Sequence, residues 1–128
     1  MPHNFLQYIP RRPRYQATHD RSLRVTVERS AQRQPAVISA ELVDFSRSGF
    51  RLRLTVPVDV KEVLTLQLHE EQSGLHLALA GTVQWQCCDG PEAWLIGCKT
   101  SVDLDWETLG ELFLNGILST EAPPPRTQ

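Results

Sequence analysis

The chain is 128 residues long, 41% hydrophobic and 22% charged, with a formal net charge of -2, which suits one globular domain with a modest core. No window approaches the roughly 18 to 20 apolar residues of a membrane span, and the opening MPHNFLQYIPRR lacks the basic-then-apolar order of a secretory leader. A cytoplasmic protein that does not insert into membranes is therefore expected.

The charge is unevenly placed. Residues 1–35 hold seven arginines (11, 12, 14, 21, 24, 29 and 33) against Asp20 and Glu28, a balance of +5, which leaves -7 for the rest of a chain whose total is -2. Residues 1–20 read as a flexible, proline-punctuated arm. Its arginines are either a solvated basic tail or an element that binds anions, the guanidinium fork favouring phosphate and purine edges over diffuse contacts.

From residue 21 the dominant period is two. Leu23, Val25 and Val27 alternate with Arg24 and Thr26; Ala36, Ile38, Ala40 and Leu42 alternate with residues that include Ser39 and Glu41; Phe50, Leu52 and Leu54 flank Arg51 and Arg53. These predict half-buried strands. Val63 to Leu68 supplies another, Leu75 to Cys87 one more or a bent pair, and Ala93 to Val102 the last, with Gly74, Gly81 and the DGP at 89–91 as punctuation. Cys87, Cys88 and Cys98 have no C-x-x-C spacing and no neighbouring histidine, which argues against a zinc site or a disulfide framework and for buried thiols in strands.

After Asp105 the period changes. Trp106, Leu109, Leu112, Phe113 and Ile117 fall at helical spacing behind a candidate Asp105 cap, with Glu107 in the first turn, and predict one amphipathic helix whose stripe packs on the end of the sheet. Leu114 and Leu118 widen that stripe. Residues 21–118 thus form the folded unit, and EAPPPRTQ, within 119–128, a disordered tail. Six short strands and one terminal helix point to an all-β fold, a small antiparallel barrel or sandwich.

Enzymatic patterns are missing. The four histidines make no H-x-x-x-H pair, Ser46 lies in no G-x-S-x-G elbow, and no glycine-rich phosphate loop precedes a helix, so no catalytic residue, metal or cofactor is expected. The informative stretch is DFSRSGF at 44–50, where the alternation breaks into D-x-S-x-x-G. Asp44 can accept the two parallel donors of a guanine Watson–Crick edge, Ser46 adds a small donor and acceptor, and Gly49 permits positive φ where the chain reverses. The same residues also suit a turn that caps its own backbone.

RRPRY at 11–15, DFSRSG at 44–49, GTVQW at 81–85 and WLIGCKTSVDLDWETLGELF at 94–113, in this order and spacing, resemble a PilZ domain over nearly the whole chain. The resemblance implies a small six-stranded antiparallel barrel with one C-terminal α-helix. It also implies the bacterial second messenger cyclic di-GMP as ligand, held between an R-x-x-x-R segment before the first strand and a [D/N]-x-S-x-x-G loop. Carried over, it assigns Asp44 and Ser46 to a guanine, Gly49 to the loop geometry, Arg14 to the second motif arginine, and Arg11 and Arg12 to the phosphates. Pro10 stands where the first motif arginine would be. A second R-x-x-x-R, Arg29 to Arg33, is read as hairpin-turn chemistry. The implied function is a non-enzymatic receptor that relays the ligand to an unidentified protein effector; the alternative is a degenerate PilZ-like adaptor that binds protein and no nucleotide. Nucleic acid is not an expected partner, because the body is acidic and few aromatics interleave with basic residues.

Overall fold

The computed structural model describes residues 14–17, 23–29 and 36–119. Among these residues there are eight strands: β1 (Tyr15–Ala17), β2 (Leu23–Arg29), β3 (Ala36–Ser46), β4 (Gly49–Leu54), β5 (Val63–Glu70), β6 (Leu75–Cys88), β7 (Trp94–Thr100) and β8 (Leu118–Ser119). Among the described residues one helix, α1 (Trp106–Leu114), precedes β8. All pairings are antiparallel, in the order β2-β5-β6-β7-β4-β3, and β3 returns to β2 to close a six-stranded barrel. Closure gives each of these six strands two neighbours, which removes the exposed edges of an open sheet.

The core follows from the alternation. Val25, Val27, Phe50, Leu52, Leu54, Leu64, Leu66 and Leu68 point inward and are buried, whereas Arg51 and Arg53 remain partly exposed between them. β3 is long enough to pair twice on the edge away from β4: Ala36 to Ser39 meet β2, and Asp44 and Phe45 meet β1. Tyr15, Gln16 and Ala17, expected from sequence to lie in the arm, therefore add a short strand beside the barrel. The Tyr15 ring meets Phe113 edge-on at 4.9 Å, which ties β1 to the helix.

Two expectations about β6 change. Gly81 does not interrupt it; the strand runs through, and a side chain there would collide with the Phe50 ring, so the glycine serves core packing. Cys98 is buried as expected, but Cys87 and Cys88 are exposed, because β6 continues past the end of β5 and pairs only with β7 at Leu95 and Trp94.

Asp105 caps α1, its carboxylate accepting from the Thr108 amide at 2.7 Å. The helix stops at Gly116, whose φ of 74° lets the Ile117 amide reach Leu112 O (2.9 Å) and the Gly116 amide reach Phe113 O (3.0 Å), a paired closure that glycine makes without steric cost. Ile117 and Leu118, expected on the helical stripe, thus follow the helix and are buried, together with Leu109 and Leu112, against the barrel end. Trp106 does not join them and is 65% exposed.

Candidate functional site

Straight alternation from Leu42, which faces the core opposite Leu52, would aim Asp44 inward as well. A bulge between Leu42 and Asp44 inserts Val43 as an extra residue, so that Asp44 pairs with Arg51 and Phe45 with Phe50. The extra residue shifts the parity of everything after it. Phe45 takes the core position and Asp44 joins the outward side chains.

There Asp44 is covered rather than open. Arg14 Nη1 donates to Oδ1 at 2.9 Å, Arg51 Nε donates to Oδ2 at 2.8 Å, and Arg51 Nη2 donates to the same oxygen. The carboxylate has no solvent exposure, while the Arg14 and Arg51 side chains remain 44% and 33% exposed. These hydrogen bonds hold the Arg51 guanidinium above its ordinary value, partial burial opposing them and attraction to Asp44 adding to them. The turn-capping role considered for Asp44 falls to Ser46 instead, whose Oγ accepts from the Ser48 amide at 3.3 Å and donates to Gly49 O at 3.4 Å. Ser46 is buried in that turn.

Gly49 is needed for a different reason than expected. Its φ is not positive; an added Cβ would overlap the Cys98 carbonyl oxygen on β7. The glycine permits close approach of β4 to β7, where Gly49 pairs with Lys99.

A second bulge, between Val83 and Trp85, makes the same parity change on β6. Its effect is a single transverse row on the outer surface: Gln16 opposite Asp44, Asp44 opposite Arg51, Arg51 opposite Gly97, and Gly97 opposite Trp85. The indole lies against Gly97, occupying the space a Cβ would need. Beside it is an open concavity of about 180 Å³ lined by Arg14, Ser48, Gly49, Gln84, Trp85, Gly97, Cys98 and Lys99. Arg14, Arg51 and Lys99 against Asp44 leave this surface net positive. Burial pushes the Cys98 thiol up to about 12, which keeps it protonated and poorly nucleophilic.

Of the residues singled out from sequence, Arg14, Asp44, Ser46 and Gly49 come together here; Arg11 and Arg12 lie outside the described residues. Arg29, by contrast, ends β2 and forms a fork to Glu62 (Nε to Oε2 2.8 Å, Nη2 to Oε1 2.9 Å), away from the row. Arg33 lies outside the described residues. Arg51 escaped sequence reasoning because alternation marks it only as outward-facing, and Trp85 because straight alternation from Val83 places it in the core; the bulges that align them leave no signature in residue types.

The PilZ domain family model matches residues 10–114. The chain belongs to the PilZ domain family. A comparison with curated protein sequences returns no significant match. Among solved structures, this PilZ domain is similar to the Bacillus subtilis inhibitor of motility MotI/DgrA, with a TM-score of 0.56 at 19% identity. The match covers 84% of this chain and 50% of that one. At that identity the likeness speaks to the fold, and the chain spans about half the length of the MotI/DgrA chain. Among the described residues no helix is long and apolar enough to cross a membrane.

Proposed function

We propose that this PilZ domain is a non-enzymatic, cytoplasmic receptor for cyclic di-GMP. The observation that carries the reading is the Arg14–Asp44–Arg51 cluster on the outer face, beside a concavity that is positive and carries an aromatic ring. A dianionic ligand bearing two purines calls for this chemistry: forked cations for phosphate, a carboxylate for the guanine edge, and a flat apolar surface for the base.

In this reading the guanine N1–H and 2-amino group replace Arg14 and Arg51 on the two Asp44 oxygens, with the Ser46 turn opening to the base. The released guanidinium groups of Arg51 and Arg14 turn to phosphate, joined by Arg11 and Arg12 from the arm. Trp85 offers a stacking surface, an interaction worth about 1 to 3 kcal/mol per base. Capture of the arm then alters the surface offered to a protein effector.

Calorimetric titration of the full chain with cyclic di-GMP tests the reading. Saturating heat at micromolar ligand supports it. Absence of heat at hundreds of micromolar, with folded protein, leaves the adaptor that binds protein and no nucleotide.

A further inference from the structure

Helix α1 carries a stripe that the barrel does not cover. Trp106, Gly110 and Leu114 recur at four-residue intervals and so share one face; Trp106 is 65% and Leu114 87% exposed. Gly110 sits between them in mid-helix, where glycine is the least favourable residue after proline. Nothing lies within 4 Å of where its Cβ would be, and its φ is not positive, so the monomer has no need of a glycine there. A glycine flanked by two exposed apolar side chains makes a notch for close approach of another backbone.

Charge identifies what approaches. Glu107 and Glu111 are exposed and run along one side of the stripe. A second copy crossing antiparallel at Gly110 about a two-fold axis would bring like charges together. Among the described residues the two glutamates outnumber the one cation on this face, Arg47, which disfavours an anionic bilayer. We infer that the Trp106–Gly110–Leu114 face of α1 docks a basic amphipathic helix of a partner protein, small or apolar side chains entering the notch and lysines or arginines pairing with Glu107 and Glu111.

The face is also joined to the D-x-S-x-x-G turn. Arg47, in that turn, lies 4.3 Å from the Trp106 ring centroid and donates from Nε to Leu104 O at 2.9 Å, while the Leu104 amide donates to Arg47 O at 2.7 Å. Arg47 thus positions Trp106, and movement of the turn would be felt at the docking face. The docking inference itself does not depend on nucleotide binding.

Two synthetic helical peptides test it, identical in a leucine and alanine stripe and flanked by lysine in one and glutamate in the other. Added to the ligand-free full chain and followed by amide and indole NMR shifts, the lysine peptide should bind at least tenfold more tightly and move Trp106, Gly110 and Leu114. Gly110→Gln should leave the melting temperature unchanged or higher yet weaken that binding at least tenfold. Glu107→Lys with Glu111→Lys should invert the preference between peptides. Failure of the lysine peptide to bind, equal binding of both, or indifference to Gly110→Gln would overturn the inference. So would a concentration-dependent dimer in sedimentation that Gly110→Gln abolishes, which would assign the face to a second copy.

Discussion

Asp44 and Arg51 face each other across β3 and β4, with Arg51 Nε 2.8 Å from Asp44 Oδ2, only because Val43 is an extra residue in its strand. Deleting Val43 would remove the bulge and leave Asp44 directly after Leu42 in straight alternation, still outward and still opposite Arg51. The deletion should therefore keep the barrel folded, with a urea midpoint near that of the wild type, and keep cyclic di-GMP binding. Asp44→Ala should also keep the fold, at a cost of about 1 kcal/mol, since both arginines reach water, but weaken cyclic di-GMP binding roughly 10 to 150-fold. Urea melts and calorimetry on the two variants separate these effects.

Gly49 and Gly97 are both crowded, but by different neighbours. Gly49→Ala meets the Cys98 carbonyl oxygen, fixed in a paired strand, and should cost about 2 kcal/mol in thermal or urea unfolding. Gly97→Ala meets the Trp85 indole, a side chain that can swing outward. It should cost less, about 1 kcal/mol, while shifting tryptophan emission and weakening ligand binding. Equal destabilisation by both would mean that Trp85 is held as rigidly as the strand.

Arg14 is the arm's described contact with Asp44, at 2.9 Å. Arg14→Ala should abolish detectable binding of cyclic di-GMP, and Arg14→Lys should not restore it, because an ammonium lacks the planar fork. Pro10→Arg completes R-x-x-x-R in sequence and should tighten binding or raise the stoichiometry. A titration series that finds wild type, Arg14→Ala and Pro10→Arg alike would remove the arm from the site.

The Arg29–Glu62 pair predicts a pH dependence of stability. The Arg29 hydrogen bonds hold Glu62 below its ordinary value, helped by the Asp59 amide and by the Arg29 charge and opposed by burial. A lowered folded pKa means that the pair's contribution is complete above the ordinary glutamate value of about 4.3. It is lost as pH falls through the lowered folded value, where the native carboxylate takes up its proton. Arg29→Met should therefore lower stability by about 2 kcal/mol at neutral pH, and the gap from wild type should close in acid. Parallel chemical melts from neutral pH down to pH 2 measure the gap directly.

The six barrel strands and the helix were legible in sequence because each rests on a local period, inward leucines and valines every second residue and then apolar residues at helical spacing after the Asp105 cap, whereas β1 and β8 are too short to show one. The Asp44, Ser46 and Gly49 turn was legible too, as was Arg14, since their residue types and spacing match a known family. What alternation could not supply was parity. The extra residues at Val43 and Gln84 are set by how β3 fits β4 and β6 fits β7 in a closed barrel, and they alone place Asp44, Arg51, Gly97 and Trp85 in one row. The reason for Gly49 was likewise hidden, because crowding by the Cys98 carbonyl exists only once β4 and β7 are adjacent. Trp106 completes the contrast: helical period assigned it to the core, and the position of α1 on the barrel end left it in solvent with Arg47 against its ring. Local periodicity determines which segments become strands or helix, whereas register and close approach are properties of strand pairs, and only the closed barrel fixes them.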